Sequence, residues 1–464
     1  MTAAHNFDAD ILREYDIRGV VGENLTEDDA RALGKAFGTT VRRNGGQRVS
    51  VGYDGRMTSP AFEAALIDGI TSTGIDVVRV GLGPTPMLYY SVFELDTDGG
   101  VMVTASHNPS AYNGFKMMLG KEAFFGDQIL ALGRLAEVAD YDVGSGQVED
   151  DFIIDRYVER LYQDVDVEGL AQADILVGWD PGNGATGDVV QKLVAKLPGR
   201  HVMINEAVDG TFPAHHPDPT VEENLQQLKE LIIKDGLSIG LAFDGDGDRV
   251  GAMDEKGDVV WGDQILAILA EDVLADRPGS TIIADVKASQ ILFDHIAALG
   301  GEPYMWKTGH SLIKSKMVEL GAQLAGEMSG HIFFKHKYYG FDDAVYAAIR
   351  LLNVVVGQQT SLKKLKDKLP PVINTPEMRL SCPPRRRFEI VKEVHARLME
   401  QGAEVNDTDG VRVLTEDGWW LLRASNTQDV LVARAEGHDD AALQRLLQLL
   451  NEQLALSGVE SRAS

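Results

Sequence analysis

One pattern recurs three times along the chain and restricts it to α/β architecture. A short apolar stretch ends in Asp at RVSVGYDGR (Arg48 to Arg56), at ADILVGWDPGNG (Ala173 to Gly184) and at STIIADVKAS (Ser280 to Ser289). A helix-like segment follows each, and then a second apolar stretch that ends in a polar loop. Those loops are TASHNP (Thr104 to Pro109), DGDGDR (Asp244 to Arg249) and GEMSGH (Gly326 to His331). Strands alternating with helical segments build mixed or parallel sheets. Ligands in such sheets bind beyond the carboxyl ends of strands, where all three polar loops fall.

A chain of 464 residues is too long for one core, since single cores stop growing at roughly 250–300 residues. Gly144 to Asp151 is polar and Gly-bearing, and precedes FIIDRYVERLY, whose apolar residues have helical spacing. A new strand is expected around Asp258 to Trp261, and LPPVINTPEM (Leu369 to Met378) reads as a linker. The tail after it mixes strands with an amphipathic helix, DDAALQRLLQLLNEQLAL. Four domains are expected, at 1–150, 151–256, 257–369 and 370–464.

Net charge is 44 − 71 = −27, which argues against nucleic-acid binding. An anionic substrate would need a local basic pocket, for which Arg18, Lys116, Arg249, Lys287, His310 and Arg423 are available in or beside the polar loops. The opening MTAAHNFDADILREYD has no long apolar run, so neither a signal peptide nor a membrane span is expected. A single cysteine, Cys382, excludes an internal disulfide and is compatible with a reducing cytoplasm. A cytoplasmic protein, monomeric or a small homo-oligomer, is the expectation.

DGDGDR carries the sharpest signal. In an extended loop, residues two apart point the same way, so Asp244, Asp246 and Asp248 can converge on one cation. The glycines let the backbone curl around it. Hard oxygen ligands favour Mg²⁺. A polar turn is the bland alternative. An EF-hand loop is a sharper one, with Glu255 at the twelfth place, but Arg249 stands where that loop needs Gly and LSIGLAF before it reads as a strand.

Ser106 lies between a strand and the reversal expected at Asn108–Pro109. An acyl nucleophile would call for GxSxG, which the chain lacks. A phosphoryl carrier facing a metal, or a simple turn serine, remain. RASNTQD (Arg423 to Asp429) follows the apolar WWLLR and offers a guanidinium fork with hydroxyls and amides around it, suited to phosphate. In GEMSGH, Glu327 can accept two sugar hydroxyls and Ser329 can bond another.

In order and spacing, TASHNP, DGDGDR, GEMSGH and RASNT resemble the α-D-phosphohexomutases, supported by REYDIRG (Arg13 to Gly19), NGFK (Asn113 to Lys116), DVK (Asp285 to Lys287) and TGHS (Thr308 to Ser311). The match covers essentially the whole chain and is most like the bacterial phosphomannomutase/phosphoglucomutase branch. The resemblance implies an α/β fold of four domains around a central cleft, three related α/β domains with mixed sheets plus a C-terminal TBP-like α+β domain. It implies that Ser106 is the phosphoserine with His107 beside it. Ser106, Asp244, Asp246 and Asp248 would ligate Mg²⁺; Glu327 and Ser329 would read sugar hydroxyls. Arg423, Ser425, Asn426 and Thr427 would cradle the non-reacting phosphate, while Tyr15, Arg18, Arg249, Lys287, Gly309, His310 and His331 would line the cleft.

GEMSGH differs from the GEQSGH usual in phosphoglucosamine mutases and the GEESFG of longer phosphoglucomutases, which favours hexoses without a 2-amino group. Phosphoglucosamine mutase is the alternative, with a metal-dependent sugar phosphatase and a non-catalytic sugar-phosphate binder behind it. The expected reaction interconverts hexose 1- and 6-phosphates, of mannose and glucose, through a hexose 1,6-bisphosphate. Lys116 would stabilise charge, and His310 or His331 would take the hydroxyl proton. Gln428–Asp429 departs from the family's phosphate loop, placing an acid near an incoming dianion.

Overall fold

The computed structural model describes residues 3–383, 385–426, 429–460 and 463. The first strand of each repeat spans Arg48–Tyr53, Leu176–Asp180 and Thr281–Asp285. Each pairs in parallel with the strand that leads into its polar loop: Gly99–Val103, Ile239–Phe243 and Leu324–Gly326. The chain then returns antiparallel on that second strand, as Tyr112–Leu119, Val250–Met253 and Ile332–Phe334. Each polar loop is therefore a reversal between two neighbouring strands, and all three sheets are mixed.

The paired strands are adjacent in space but not consecutive in sequence. A further parallel strand intervenes on the other side of the first: Asp76–Leu82, Arg200–Met203 and Glu302–Trp306. The last two are half-exposed edge strands, so they lack the continuous apolar run that marks a buried parallel strand.

The strand-terminal aspartate is buried every time, at 2 % exposure for Asp54 and 0 % for Asp180 and Asp285. A buried carboxylate is costly unless hydrogen-bonded. Asp54 accepts from Thr104 Oγ1 at 2.8 Å, Asp180 from the Gly182 amide at 3.0 Å and Asp285 from the Met328 amide at 3.2 Å. Asp54 and Asp285 so tie their first strand to the polar loop of the second.

The fourth unit is an antiparallel sheet. Its order is Ile373–Asn374, Val430–Gly437, Gly418–Ala424, Val411–Thr415 and Glu404–Asn406, with Met378–Ser381 also on Val430–Gly437. Helices Arg387–Glu400 and Asp440–Leu456 pack Val394, Leu398, Leu446 and Leu450 against it in a separate core. It meets the third unit through Val286, Trp419 and Leu421. Arg412 Nη1 reaches the carbonyls of Val286 (2.7 Å) and Ala288 (2.8 Å), and Arg434 that of Lys287, so two buried arginines grip the loop that carries Lys287. By contrast, one apolar core runs from the first unit, at Val78, Leu88 and Met102, through the second into the third, where helices Gly262–Asp276 and Ala344–Gly357 carry it. No helix among the described residues is long and apolar enough to cross a membrane.

Candidate active site

Ser106 leaves strand Gly99–Val103 with φ +52° and is 2 % exposed. Its hydroxyl donates to Asp244 Oδ2 at 2.9 Å and lies 3.1 Å from His107 Nδ1. The loop of the first sheet thus touches the loop of the second. The contact is tight: a Cβ on Gly245 would sit 2.5 Å from the Ser106 carbonyl oxygen.

Asp244, Asp246 and Asp248 are all 0 % exposed, and their ligand atoms lie within 4.8 Å of one another. The ammonium of Lys116, itself 3 % exposed, pairs with Asp246 Oδ2 at 2.7 Å and with Asp248 Oδ2. Thr85 Oγ1 also donates to Asp246 Oδ2. Asp246 Oδ1 and Asp248 Oδ1 are buried without a hydrogen-bond partner. Burial, and then Asp246 and Asp248, push the Asp244 carboxyl well above its ordinary range. Burial would also raise Asp246, but Lys116 and Thr85 outweigh it and hold that carboxyl low. Burial opposes the Lys116 charge, yet the aspartates more than compensate and hold it above its ordinary value. Three buried carboxylates, one ammonium and two orphan oxygens fit an added divalent cation that prefers oxygen ligands.

Asp248, His331 and Asp342 form a second group with metal-like spacing. Arg249 Nε donates to His331 Nε2 at 3.0 Å, which assigns the ring proton to Nδ1. That nitrogen lies 3.0 Å from Asp342 Oδ2 and 3.6 Å from Asp248 Oδ1. While Nε2 accepts from Arg249, Nδ1 of the neutral ring carries the proton and offers no lone pair to an ion. His310 stacks on His331 at 5.5 Å between ring centroids and meets Tyr15 edge-on at 6.0 Å. Burial, with Lys314 close by, holds the His310 imidazole well below its ordinary value. The same burial, reinforced by Arg249 and Arg18, acts on His107.

Glu327 ties two loops of the third unit together. Its carboxylate accepts from the Gly309 amide and, at 3.0 Å, from Ser329 Oγ. Tyr15 OH donates to the Thr308 carbonyl at 2.8 Å and accepts from Asn426 Nδ2 at 2.6 Å, joining the first, third and fourth units. Arg423 Nε donates to Asp409 Oδ2 at 2.9 Å, and the same oxygen takes the Thr308 amide at 3.1 Å. Lys287 Nζ pairs with Glu377 at 3.0 Å and lies 3.8 Å from Asp285. Arg18 bonds Asp16 and the Asn108 side chain, so it braces the serine loop.

The sequence-derived residues therefore form two linked clusters. Ser106, His107, Lys116, the three aspartates, Arg18 and Arg249 surround the serine. Tyr15, Lys287, Gly309, Glu327, Ser329, Arg423, Ser425 and Asn426 belong to the second, where the first, third and fourth units meet at Tyr15, with His310 and His331 between. Thr427 and Gln428 lie outside the described residues. Asp429 is paired with Arg387, whose Nε also donates to the Ser425 carbonyl at 2.9 Å.

Sequence reasoning missed Arg56, Thr85, Asp342, Glu377 and Asp409. Only Arg56 left a signal: it stands two residues after Asp54, as Lys287 stands two after Asp285. The others come from turns and helix starts where an acid or threonine is ordinary.

The chain matches four family models in order: phosphoglucomutase/phosphomannomutase alpha/beta/alpha domain I over residues 9–131, domain II over 155–257, domain III over 261–372 and the C-terminal domain over 377–453. It is 43 % identical over 444 residues to a phosphomannomutase/phosphoglucomutase of Pseudomonas putida, covering 96 % of this chain and 95 % of that one. It is 41 % identical over 446 residues to the Pseudomonas aeruginosa protein of the same name, covering 96 % of each. A solved phosphoglucomutase/phosphomannomutase family protein of Burkholderia thailandensis superposes with a TM-score of 0.92 at 40 % identity, over 98 % of this chain and 100 % of that one. With a matching fold, four domain models in order and relatives aligned nearly end to end, the chain belongs to the phosphoglucomutase/phosphomannomutase family, enzymes that move a phosphate within a sugar.

Proposed function

We propose that this hexose-phosphate mutase carries its phosphoryl group on Ser106 and interconverts the 1- and 6-phosphates of both glucose and mannose. The observation that carries the reading is the Ser106 hydroxyl bonded to Asp244 at 2.9 Å, beside two further carboxylates of zero exposure and the Lys116 ammonium. Phosphoryl transfer depends on positioning and charge neutralisation more than on covalent help. A buried serine among cations and metal-ligating oxygens meets that need. Four units, 1–150, 151–256, 257–369 and 370–464, would each supply one loop.

Mg²⁺ would be held by Asp244, Asp246, Asp248 and the phosphoryl on Ser106, and would supply electrostatic stabilisation of charge on the phosphoryl oxygens. Lys116, paired with Asp246 and Asp248, would stabilise the same charge. The sugar hydroxyl attacks phosphorus and gives up its proton, the bond to Ser106 Oγ breaks, and Oγ takes up one proton in return, so that the acceptor histidine ends each transfer neutral and no proton is gained or lost overall. Of the two candidate acceptors, His310 and His331, the hydroxyl proton passes to His310, because the His331 ring already accepts from Arg249 at Nε2 and carries its proton on Nδ1. His310 is kept neutral by burial and Lys314, as an acceptor must be. The resulting hexose 1,6-bisphosphate turns around, and Ser106 accepts the other phosphoryl.

Turning around requires grips that work in both orientations. Arg423, Ser425, Asn426 and Thr427 would hold whichever phosphate is not reacting. Glu327 keeps acceptor capacity beyond its bonds to Gly309 and Ser329, enough for the 3- and 4-hydroxyls either way round. If the 2-hydroxyl, where glucose and mannose differ, is left unread, both sugars fit, and dual specificity follows.

The test is a coupled assay on glucose 1-phosphate and mannose 1-phosphate, with intact mass for one phosphoryl per chain. Activity on only one sugar overturns dual specificity. Full turnover by Ser106→Ala overturns the carrier. Rapid phosphate release without isomer would mark a phosphatase instead.

A further inference from the structure

We infer that Arg56 is the positioning residue of the carrier serine, its guanidinium fixing the backbone of the Ser106 loop so that Oγ points into the aspartate loop. The inference rests on the reading of Ser106 as phosphoryl carrier. Arg56 is 1 % exposed. A guanidinium has five N–H donors, and all are used. Nε donates to Asp54 Oδ2 at 3.1 Å, Nη1 to the carbonyls of Pro109 (2.8 Å) and Tyr112 (3.0 Å), and Nη2 to those of Ser106 and Asn108, both at 2.7 Å. Four of the five bonds therefore converge on one loop. With every donor spent, Arg56 has none left for a substrate phosphate, so its role is positional.

The second half of the device is Asp54. It accepts from the Arg56 amide at 3.0 Å, from Ser59 Oγ at 2.6 Å and from Thr104 Oγ1 at 2.8 Å. Thr104 Oγ1 in turn accepts the Ser106 amide at 2.9 Å. The N–H of Ser106 is thus held through Thr104, and its C=O by Arg56. A non-glycine residue at φ +52° persists only where its surroundings over-determine it. The second unit closes the seat. The Phe212 ring lies 5.3 Å from the guanidinium, and a Cβ on Gly210 would lie 2.5 Å from Arg56 Cα. Gly245 presses on the Ser106 carbonyl from the metal side.

Lysine keeps the charge but offers three donors and no planar fork, so Arg56→Lys must leave at least two of the five bonds unmade. The expected result is a kcat lowered about 30-fold or more, with KM for glucose 1-phosphate within about threefold, because the residues proposed to grip the sugar and its phosphate are untouched. The serine should also hold its phosphoryl less well, seen by intact mass as faster loss from the isolated phosphoenzyme. Asp54→Asn, which preserves shape, should reproduce the kcat effect more weakly in a chain with a normal thermal melt. This keeps the inference testable if Arg56→Lys folds poorly. Wild-type kcat in either folded variant, or a loss shared equally by kcat and 1/KM, overturns the inference. Ser106→Ala run in parallel separates the two readings. If it keeps turnover, the carrier reading falls; if it is inactive while Arg56→Lys is normal, the positioning inference alone falls.

Discussion

Gly309→Ala tests whether the junction of Gly309, Tyr15 and Asn426 is as tightly built as its contacts indicate. Gly309 has φ +134° and ψ 117°, outside the conformations open to alanine at low cost. Its added Cβ would lie 2.5 Å from Tyr15 Cζ and 2.7 Å from Tyr15 Cε1 and OH. Ordinary contact begins near 3.4 Å, so the ring must retreat by about 0.9 Å. Tyr15 is not free to do so, because its hydroxyl is shared between the Thr308 carbonyl and Asn426. A strained conformation costs about 1–3 kcal/mol. Disturbing the Gly309 amide bond to the Glu327 carboxylate costs about 1.5–3 kcal/mol more. Together these are about 2.5–6 kcal/mol of lost positioning, on the order of 10²–10⁴-fold in kcat/KM. The coupled conversion of glucose 1-phosphate to glucose 6-phosphate reads the loss, with a thermal melt in parallel. Tyr15→Phe, which removes only the hydroxyl bonds, should cost about tenfold. Because Gly309 does not touch Ser106, phosphoserine occupancy by intact mass should be unchanged. A loss in kcat/KM below about threefold, with an unchanged melt, refutes the reasoning.

Chelation should abolish turnover and lower the thermal melt, both restored by Mg²⁺; a cation at one hundred times its Kd stabilises by about 2.7 kcal/mol, and a melt insensitive to Mg²⁺ would count against the aspartate loop as its seat. Lys116→Met leaves three carboxylates of zero exposure without their ammonium. The metal-free chain should lose about 3–5 kcal/mol in denaturant unfolding, and Mg²⁺ should return more stability than it gives the wild type. Lys287 pulls Glu377 down to about 2, against the upward push of burial. In the window from about 4.5 down to about 2 the unfolded chain binds the extra proton, so Glu377 contributes stability that is present above this window and lost as pH falls through it. Glu377→Gln should remove that slope, measured as the difference between the two unfolding curves against pH. Arg387→Gln unpairs Asp429 beside the phosphate loop and should raise KM several-fold, with Arg387→Gln/Asp429→Asn recovering most of it; no recovery in the double variant would show that charge is not the cause.

Much of this architecture was legible because chemistry and folding make the same demand at the same place. A carboxylate at the end of a buried strand must be hydrogen-bonded, so Asp54, Asp180 and Asp285 recur as sequence marks and as ties that hold loops together. The polar loops stood out because apolar strands do not otherwise end in DGDGDR or TASHNP. What escaped were features whose meaning exists only across units. Arg200–Met203 and Glu302–Trp306 are half-covered at sheet edges and carry little apolar pattern. Asp409 reads as a turn residue until the fold sets it between Arg423 and the Thr308 amide. Asp342 reads as one acid of a helix start until it faces His331 and Lys314. Arg56 is the instructive case, since its type and its spacing from Asp54 were both visible. Its five bonds go to a side chain and to four carbonyls, and backbone carbonyls leave no trace in a sequence. Motifs therefore reveal groups that act through side chains, whereas groups that hold the backbone in place for them emerge only from the folded chain. On the proposed reading, in which Ser106 accepts and returns a phosphoryl from two orientations of one sugar, that backbone support has to be as exact as the chemistry, because the same Oγ position must serve both transfers.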